Sequence, residues 1–150
     1  MSIRPATVQD VPRLLEIYGP YVKNTAISFE YTVPSLAEFT QRFLGITAQF
    51  PWLVWEENGT VLGYAYGSRP FEREAYQWSA EASIYLCPEA CRKGIGKKLS
   101  AALEQLLQLQ GFRKVYAIIT MANEGSVAFH RAAGYRHTAT MPKCRGHPRR

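Results

Sequence analysis

Residues 78–107 set the tightest limit on what this chain can fold into. From Trp78 to Leu86 the sequence alternates without a break. Trp78, Ala80, Ala82, Ile84 and Leu86 fall on one side, Ser79, Glu81, Ser83 and Tyr85 on the other. A period of two is that of a β-strand with two unlike faces. Pro88 and the loop Cys91-Arg92-Lys93-Gly94-Ile95-Gly96-Lys97-Lys98 come next. Leu99, Leu103, Leu106 and Leu107 then recur at helical spacing, and Gly111 suits the helix's end. A strand that runs through a glycine loop into a helix leaves backbone N–H groups unpaired at the helix N-terminus, where the helix dipole adds positive potential. Such an end can bind phosphate. Gly94 and Gly96 present no Cβ to obstruct it, and Arg92, Lys93, Lys97 and Lys98 add charge. The same residues also fit an ordinary strand-to-helix turn with solvated basic side chains. A P-loop is excluded, because GxxxxGK[ST] is absent. The dinucleotide fingerprint is excluded as well, because Leu99 stands where its third glycine belongs.

Around this unit the pattern predicts a single α/β domain. Ser2–Arg4 is a first short strand. Thr7 and Asp10 form a capping box ahead of Val11, Leu14, Leu15 and Tyr18, a helix running to about Tyr21. Thr25–Tyr31 is expected to be extended. Ser35 and Glu38 form a second capping box before the stripe of Phe39 and Phe43. Trp52–Trp55 and Val61–Tyr66 are strands joined at the hairpin signal Asn58-Gly59. Residues 67–76 are expected to be a loop or a strand bulging from the sheet. Val115–Thr120 is a further strand, and Asn123 or Ser126 opens a last helix that ends near Gly134.

Composition excludes several function classes. Hydrophobic residues are 47% of the chain, enough for one core and against disorder. No apolar run approaches the roughly 20 residues of a membrane span. The start MSIRPATVQD lacks the apolar region of a secretory signal, so a cytoplasmic protein is expected. The net charge of +6 is concentrated in residues 136–150, which hold five basic residues and no acid. The remaining 13 basic and 12 acidic side chains nearly cancel, which argues against a nucleic-acid-binding surface. Cys87 and Cys91 have no second Cys/His pair to complete a zinc site, and no metal is expected.

The run YLCPEACRKGIGKKL resembles the acyl-CoA pyrophosphate loop of GNAT-superfamily N-acetyltransferases, Arg/Gln-x-x-Gly-x-Gly/Ala, with Cys91 in place of the Arg or Gln. NEGSVAFHRAAGY, Asn123–Tyr135, resembles the family's final helix, and IRPATVQDVPRLLEIY its opening strand and helix. Within the family the likeness is to the phosphinothricin and methionine sulfone/sulfoximine acetyltransferases. It rests on IYGPYVKNTAISFEY, GYAYGSRPFEREAYQWSAEASIYL and the final-helix segment. The resemblance implies a mixed, mostly antiparallel central sheet with helices on both faces. It covers nearly residues 1–138 and implies a domain over 1–141 that lacks the family's last C-terminal strand; PKCRGHPRR, residues 142–150, has no strand pattern and is expected to be a disordered basic tail.

The activity so implied is transfer of an acetyl group from acetyl-CoA, as co-substrate, to the primary amine of a small amino-acid-like molecule by direct attack. No nucleic acid or membrane partner is expected, and a homodimer is a further implication. Glu81, the one carboxylate within the central strand, would act as general base; an outward-facing strand glutamate is the plainer alternative. His130 would protonate the leaving thiolate or else be a helix-surface residue. Leu86 and Cys87 at the strand's end, Arg92, Lys93, Gly94, Ile95, Gly96 and Lys97 in the loop, and Asn123 and Ser126 would contact acetyl-CoA; capping alone would also account for the last two. The amide near Leu86 would face the thioester carbonyl. Phe29, Arg69, Arg73, Tyr76 and Tyr85 are candidates for the acceptor site, where an Arg suits a carboxylate or phosphinate. A protein N-terminal or lysine acetyltransferase, or a non-catalytic acyl-CoA-binding protein, is the alternative.

Overall fold

The computed structural model describes residues 2–24, 32–69, 78–90, 94–117, 124–132 and 134–136. Its elements are β1 (Ser2–Pro5), α1 (Val11–Asn24), α2 (Leu36–Thr47), β2 (Trp52–Glu57), β3 (Thr60–Ser68), β4 (Ser79–Leu86), α3 (Ile95–Leu109), β5 (Lys114–Tyr116) and α4 (Glu124–Ala132). Short 3₁₀ turns at Val8–Asp10 and Pro88–Ala90 precede α1 and α3. The five strands lie in sequence order. β1 to β4 are antiparallel, and β5 joins β4 in parallel.

Local signals account for most boundaries. The Ser35 hydroxyl accepts from Glu38 N–H at 3.1 Å, while Glu38 Oε1 accepts from Ser35 N–H at 2.9 Å, a reciprocal box opening α2. Asn58 (φ 51°) and Gly59 (φ 78°) make the tight turn of the β2–β3 hairpin. Helix α3 ends in a Schellman motif: Gly111 N–H bonds to Gln108 O at 3.0 Å and Phe112 N–H to Leu107 O at 3.1 Å. Phe112 then stacks on Phe50 at 5.3 Å. Helix α4 stops in the same way. Gly134 bonds back to Arg131 and Tyr135 to His130, and the Tyr135 ring meets the His130 ring edge-on at 5.1 Å.

Helices cover both faces of the sheet. Helices α1 and α2 lie on the face that carries Glu81 and Tyr85. Tyr18 meets Tyr85 at 5.0 Å, and Phe43 meets Trp52 at 4.9 Å. Trp52 stacks in turn on Tyr66, and Tyr64 lies between this pair and Tyr85. On the other face Leu99, Leu103 and Leu107 of α3 are fully buried. A Cβ on Gly67 would stand 3.0 Å from Leu107 Cδ2, so the helix rests directly on that strand.

Four expectations are corrected. Helix α1 runs through Pro20 to Asn24 instead of ending near Tyr21. Gly67 and Ser68 belong to β3, paired with Ala82 and Glu81, and not to a loop. Trp78 precedes β4 and is 53% exposed; its carbonyl accepts from Arg113 N–H at 2.8 Å. Leu106 lies at the edge of the α3 stripe and is exposed, because a helix on a sheet buries a narrower face than the sequence pattern suggested. The extended segment expected at residues 25–31, the strand residues 118–120 and residues 137–150, including the expected tail, lie outside the described residues.

One charged cluster ties the N-terminus down. Arg4 donates to both oxygens of Asp10, at 2.8 and 2.9 Å, and to Glu56 at 2.8 Å. The Arg4 guanidinium holds the Asp10 carboxyl below its usual range, and the Thr7 N–H that Asp10 accepts adds to this. A depressed carboxyl stabilises the fold above the ordinary Asp range, and that contribution is lost as pH falls through the lowered value. Asp10→Ala should therefore cost about 1 kcal/mol at pH 7, the pair being partly exposed. The difference from wild type should vanish in strong acid. Urea unfolding at the two pH values checks this, and an equal loss at both would refute it.

Candidate active site

Glu81 stands mid-strand in β4, opposite Ser68 of β3 and beside Tyr116 of β5. Its face also carries Ser83 and Tyr85, with Tyr64 and Tyr66 across the ladder. Among the described residues no cation reaches its carboxyl. Burial alone pushes that carboxyl up to about 7. A carboxylate so placed can take a proton near neutral pH.

The end of β4 stays paired with β3. Cys87 N–H donates to Leu62 O at 2.9 Å, and Leu86 stands opposite Gly63. Bonded and non-bonded pairs alternate along an antiparallel ladder. Leu86 and Gly63 are therefore a non-bonded pair, and both backbone polar groups of Leu86 point away from β3, toward the β5 side. Trp78, of the same parity, uses that side for its bond from Arg113. β5 pairs with β4 only along Ser79–Glu81, and Ala117 has already left the strand. From Ala82 onward no described strand lies beside β4 on this edge, which leaves a gap among the described residues, and the Leu86 N–H points to that side. The Leu86 carbonyl accepts from the Tyr21 hydroxyl at 2.6 Å.

Helix α3 begins just past that gap, and its two glycines have different surroundings. Gly94 is left-handed (φ 79°), and a Cβ there would meet nothing within 4 Å. Its left-handed backbone turns the chain into the helix. A Cβ on Gly96 would stand 3.2 Å from Phe129 and 3.5 Å from Leu86 Cδ1, so the space above Gly96 belongs to α4 and the end of β4. Of the two glycines, Gly94 alone has open space where a Cβ would stand. Ile95 is buried and can offer only its amide, while Lys97 is exposed. Lys98 lies 5.7 Å from the Trp55 ring centroid. Cys87 departs from expectation: its amide is taken by Leu62, its carbonyl accepts from Ala90, and its buried thiol is pushed up by desolvation and by Glu89. It brings no free backbone donor to the loop.

His130 is half-buried on α4, held by Tyr135 at the helix end. Tyr85 sits in the aromatic cluster, 5.2 Å from Tyr21. Arg69 is exposed and donates to Gln49 Oε1 at 3.3 Å, at the end of the sheet remote from Gly94. Phe29, Arg73, Tyr76, Arg92, Lys93 and Asn123 lie outside the described residues, as does the Ser126 side chain. The sequence reading assigned no role to Tyr21. A signal was present: Leu14, Tyr18 and Tyr21 share one helix face, and a phenol at the end of a buried stripe needs a hydrogen-bond partner.

The fold that places these residues is shared with acetyltransferases of known structure. Residues 3–147 match the model of the acetyltransferase (GNAT) domain. The chain belongs to the GNAT family and is an acetyl-CoA-dependent N-acetyltransferase. It is 32% identical over 141 residues to the phosphinothricin N-acetyltransferase of Streptomyces viridochromogenes, covering 94% of this chain and 77% of that one. It is 36% identical over 146 residues to the L-methionine sulfoximine/L-methionine sulfone acetyltransferase of Pseudomonas paraeruginosa, covering 95% and 84%. The structure of a GNAT-superfamily phosphinothricin acetyltransferase from Sinorhizobium meliloti in complex with acetyl-CoA superposes with a TM-score of 0.85. That protein is 43% identical, with 89% of this chain and 73% of that chain covered. Among the described residues no helix is long and apolar enough to cross a membrane.

Proposed function

We propose that this enzyme acetylates the primary amine of a small amino-acid-like substrate of the phosphinothricin, methionine sulfone or methionine sulfoximine type, in the cytoplasm, by direct attack on acetyl-CoA. The carrying observation is Glu81, a carboxyl raised to about 7 by burial within the strand that ends at the gap. Near neutral pH the ionised Glu81 takes a proton from the substrate ammonium, directly or through water. The freed amine attacks the thioester carbonyl, and the carbon–nitrogen bond forms. The Leu86 N–H, aimed into the gap, donates to the developing oxyanion. As the intermediate collapses, the carbon–sulfur bond breaks, the thiolate takes a proton that His130 supplies, and the nitrogen gives up its second proton to water, leaving the neutral amide. The diphosphate of acetyl-CoA rests on the amides of residues 92–97, with Arg92, Lys93 and Lys97 adding charge. Asn123 and Ser126 contact the pantetheine arm. Phe29, Arg69, Arg73, Tyr76 and Tyr85 shape the acceptor site. The names of the relatives support the substrate class.

Turnover of methionine sulfone, methionine sulfoximine and phosphinothricin, against lysine and peptide N-termini, tests the reading. A preference for the peptides would overturn it. On the best amine, His130→Phe keeps a ring against Tyr135 and should lower kcat by about 10²-fold or more with acetyl-CoA affinity nearly unchanged. An unchanged kcat would remove His130 from the chemistry.

A further inference from the structure

The end of β4 is held from three sides. The Cys87 N–H is bonded to Leu62 O at 2.9 Å. The Leu86 side chain lies over Gly63, where a Cβ would fall inside contact of Leu86 Cδ2 and 3.1 Å from the Tyr85 carbonyl oxygen. The third hold comes from a different layer of the molecule: the Tyr21 hydroxyl of α1 donates to Leu86 O at 2.6 Å, across 65 positions of sequence. The Tyr21 ring is itself set edge-on against Tyr85, the residue before Leu86, at 5.2 Å.

We propose that Tyr21 is a positioning residue, whose phenol occupies the Leu86 carbonyl and so fixes the end of β4 and, with it, the direction of the Leu86 amide, which points away from β3. The reasoning follows from the parity of the ladder. The Leu86 carbonyl faces away from β3, on the side where the described part of β5 pairs only as far as Glu81, and a backbone carbonyl so placed needs a donor. A phenol satisfies it without the neighbouring N–H groups that a paired strand would bring. The peptide unit of Leu86 and Cys87 is then bonded at both ends, to Tyr21 through its oxygen and to Leu62 through its nitrogen. That leaves the preceding amide, Leu86 N–H, little freedom to swing. An oxyanion donor works by being fixed before the charge develops, so a group that restricts its motion affects rate more than substrate binding.

The inference rests on the reaction proposed above, and its test separates the two. Tyr21→Phe removes one oxygen and keeps the ring on Tyr85. The exchange rate of the Cys87 amide proton, followed by NMR in the protein without substrate, reads the strand end independently of activity. It should rise by about fivefold or more, with exchange in β2 unchanged. The kcat should fall roughly tenfold, with the KM for acetyl-CoA within about twofold. Tyr21→Leu should show at least the same loss of kcat, since the hydroxyl and the ring are both gone. Wild-type turnover with an equal kcat for Tyr21→Phe would overturn the positioning role and leave the reaction standing, whatever the exchange rate did. Unchanged Cys87 exchange would overturn the structural claim. A wild-type protein that acetylates no amine would sink the reaction first, and the catalytic part of this inference with it.

Discussion

Glu81→Gln should lower kcat/KM by about 10²–10⁴-fold, the range expected when a general base is lost. Fold and acetyl-CoA binding should persist, because Gln keeps the shape of the side chain. Wild-type activity should climb with pH through an apparent value near 7, where burial places the Glu81 carboxyl, and then level off. The deficit of the variant should narrow at high pH, as more of the amine is already free base. Stability should move the other way. A carboxyl raised in the fold favours its neutral form, so its contribution is intact below the ordinary Glu range and is lost as pH rises through about 7. Above that pH wild type carries a desolvated charge that Gln lacks. The variant should therefore be the more stable protein at pH 8, by up to about 3 kcal/mol, while matching wild type near pH 4. Denaturation midpoints at the two pH values, together with pH–rate profiles, check both halves. Coincident rate profiles would remove Glu81 from the mechanism.

Gly94→Glu should raise the dissociation constant for acetyl-CoA by about 100-fold or more, equivalent to about 3 kcal/mol. Two effects contribute. Gly94 is left-handed, so any side chain there costs roughly 1–2 kcal/mol of backbone strain. The new carboxylate would also stand at the N-terminus of α3, against the diphosphate. Gly94→Ala carries the strain without the charge and should weaken binding about tenfold at most. Calorimetry on the three proteins separates the two contributions. Normal binding by the Glu variant would show that the diphosphate lies elsewhere.

Much of the fold was legible because its signals are local. The box at Ser35 and Glu38, the turn at Asn58-Gly59 and the helix ends at Gly111 and Gly134 each depend on a few neighbouring residues, and each formed where the residues predicted. Glu81 was legible because a lone acid in an alternating strand is conspicuous. The differing glycines were not. Gly94 and Gly96 look alike in sequence, and only the approach of Phe129, 33 positions after Gly96, distinguishes the packed one from the open one. Tyr21 stayed hidden for the same reason: its partner is a backbone carbonyl 65 positions away, and no side-chain pattern announces which one. The surplus at Trp78 and Leu106 reflects a limit of periodicity, which gives the direction of a side chain but not how far the covering layer extends.

The contact between Gly96 and Phe129 also governs how the two halves of the site can move. Phe129 precedes His130, and its ring lies against the first turn of α3, where a Cβ on Gly96 would stand 3.2 Å from it. A roll of α3 about its axis, or a slide of α4 along its own, would disturb this contact. The helix that opens at Gly94 and the helix that carries His130 thus share one packed seam.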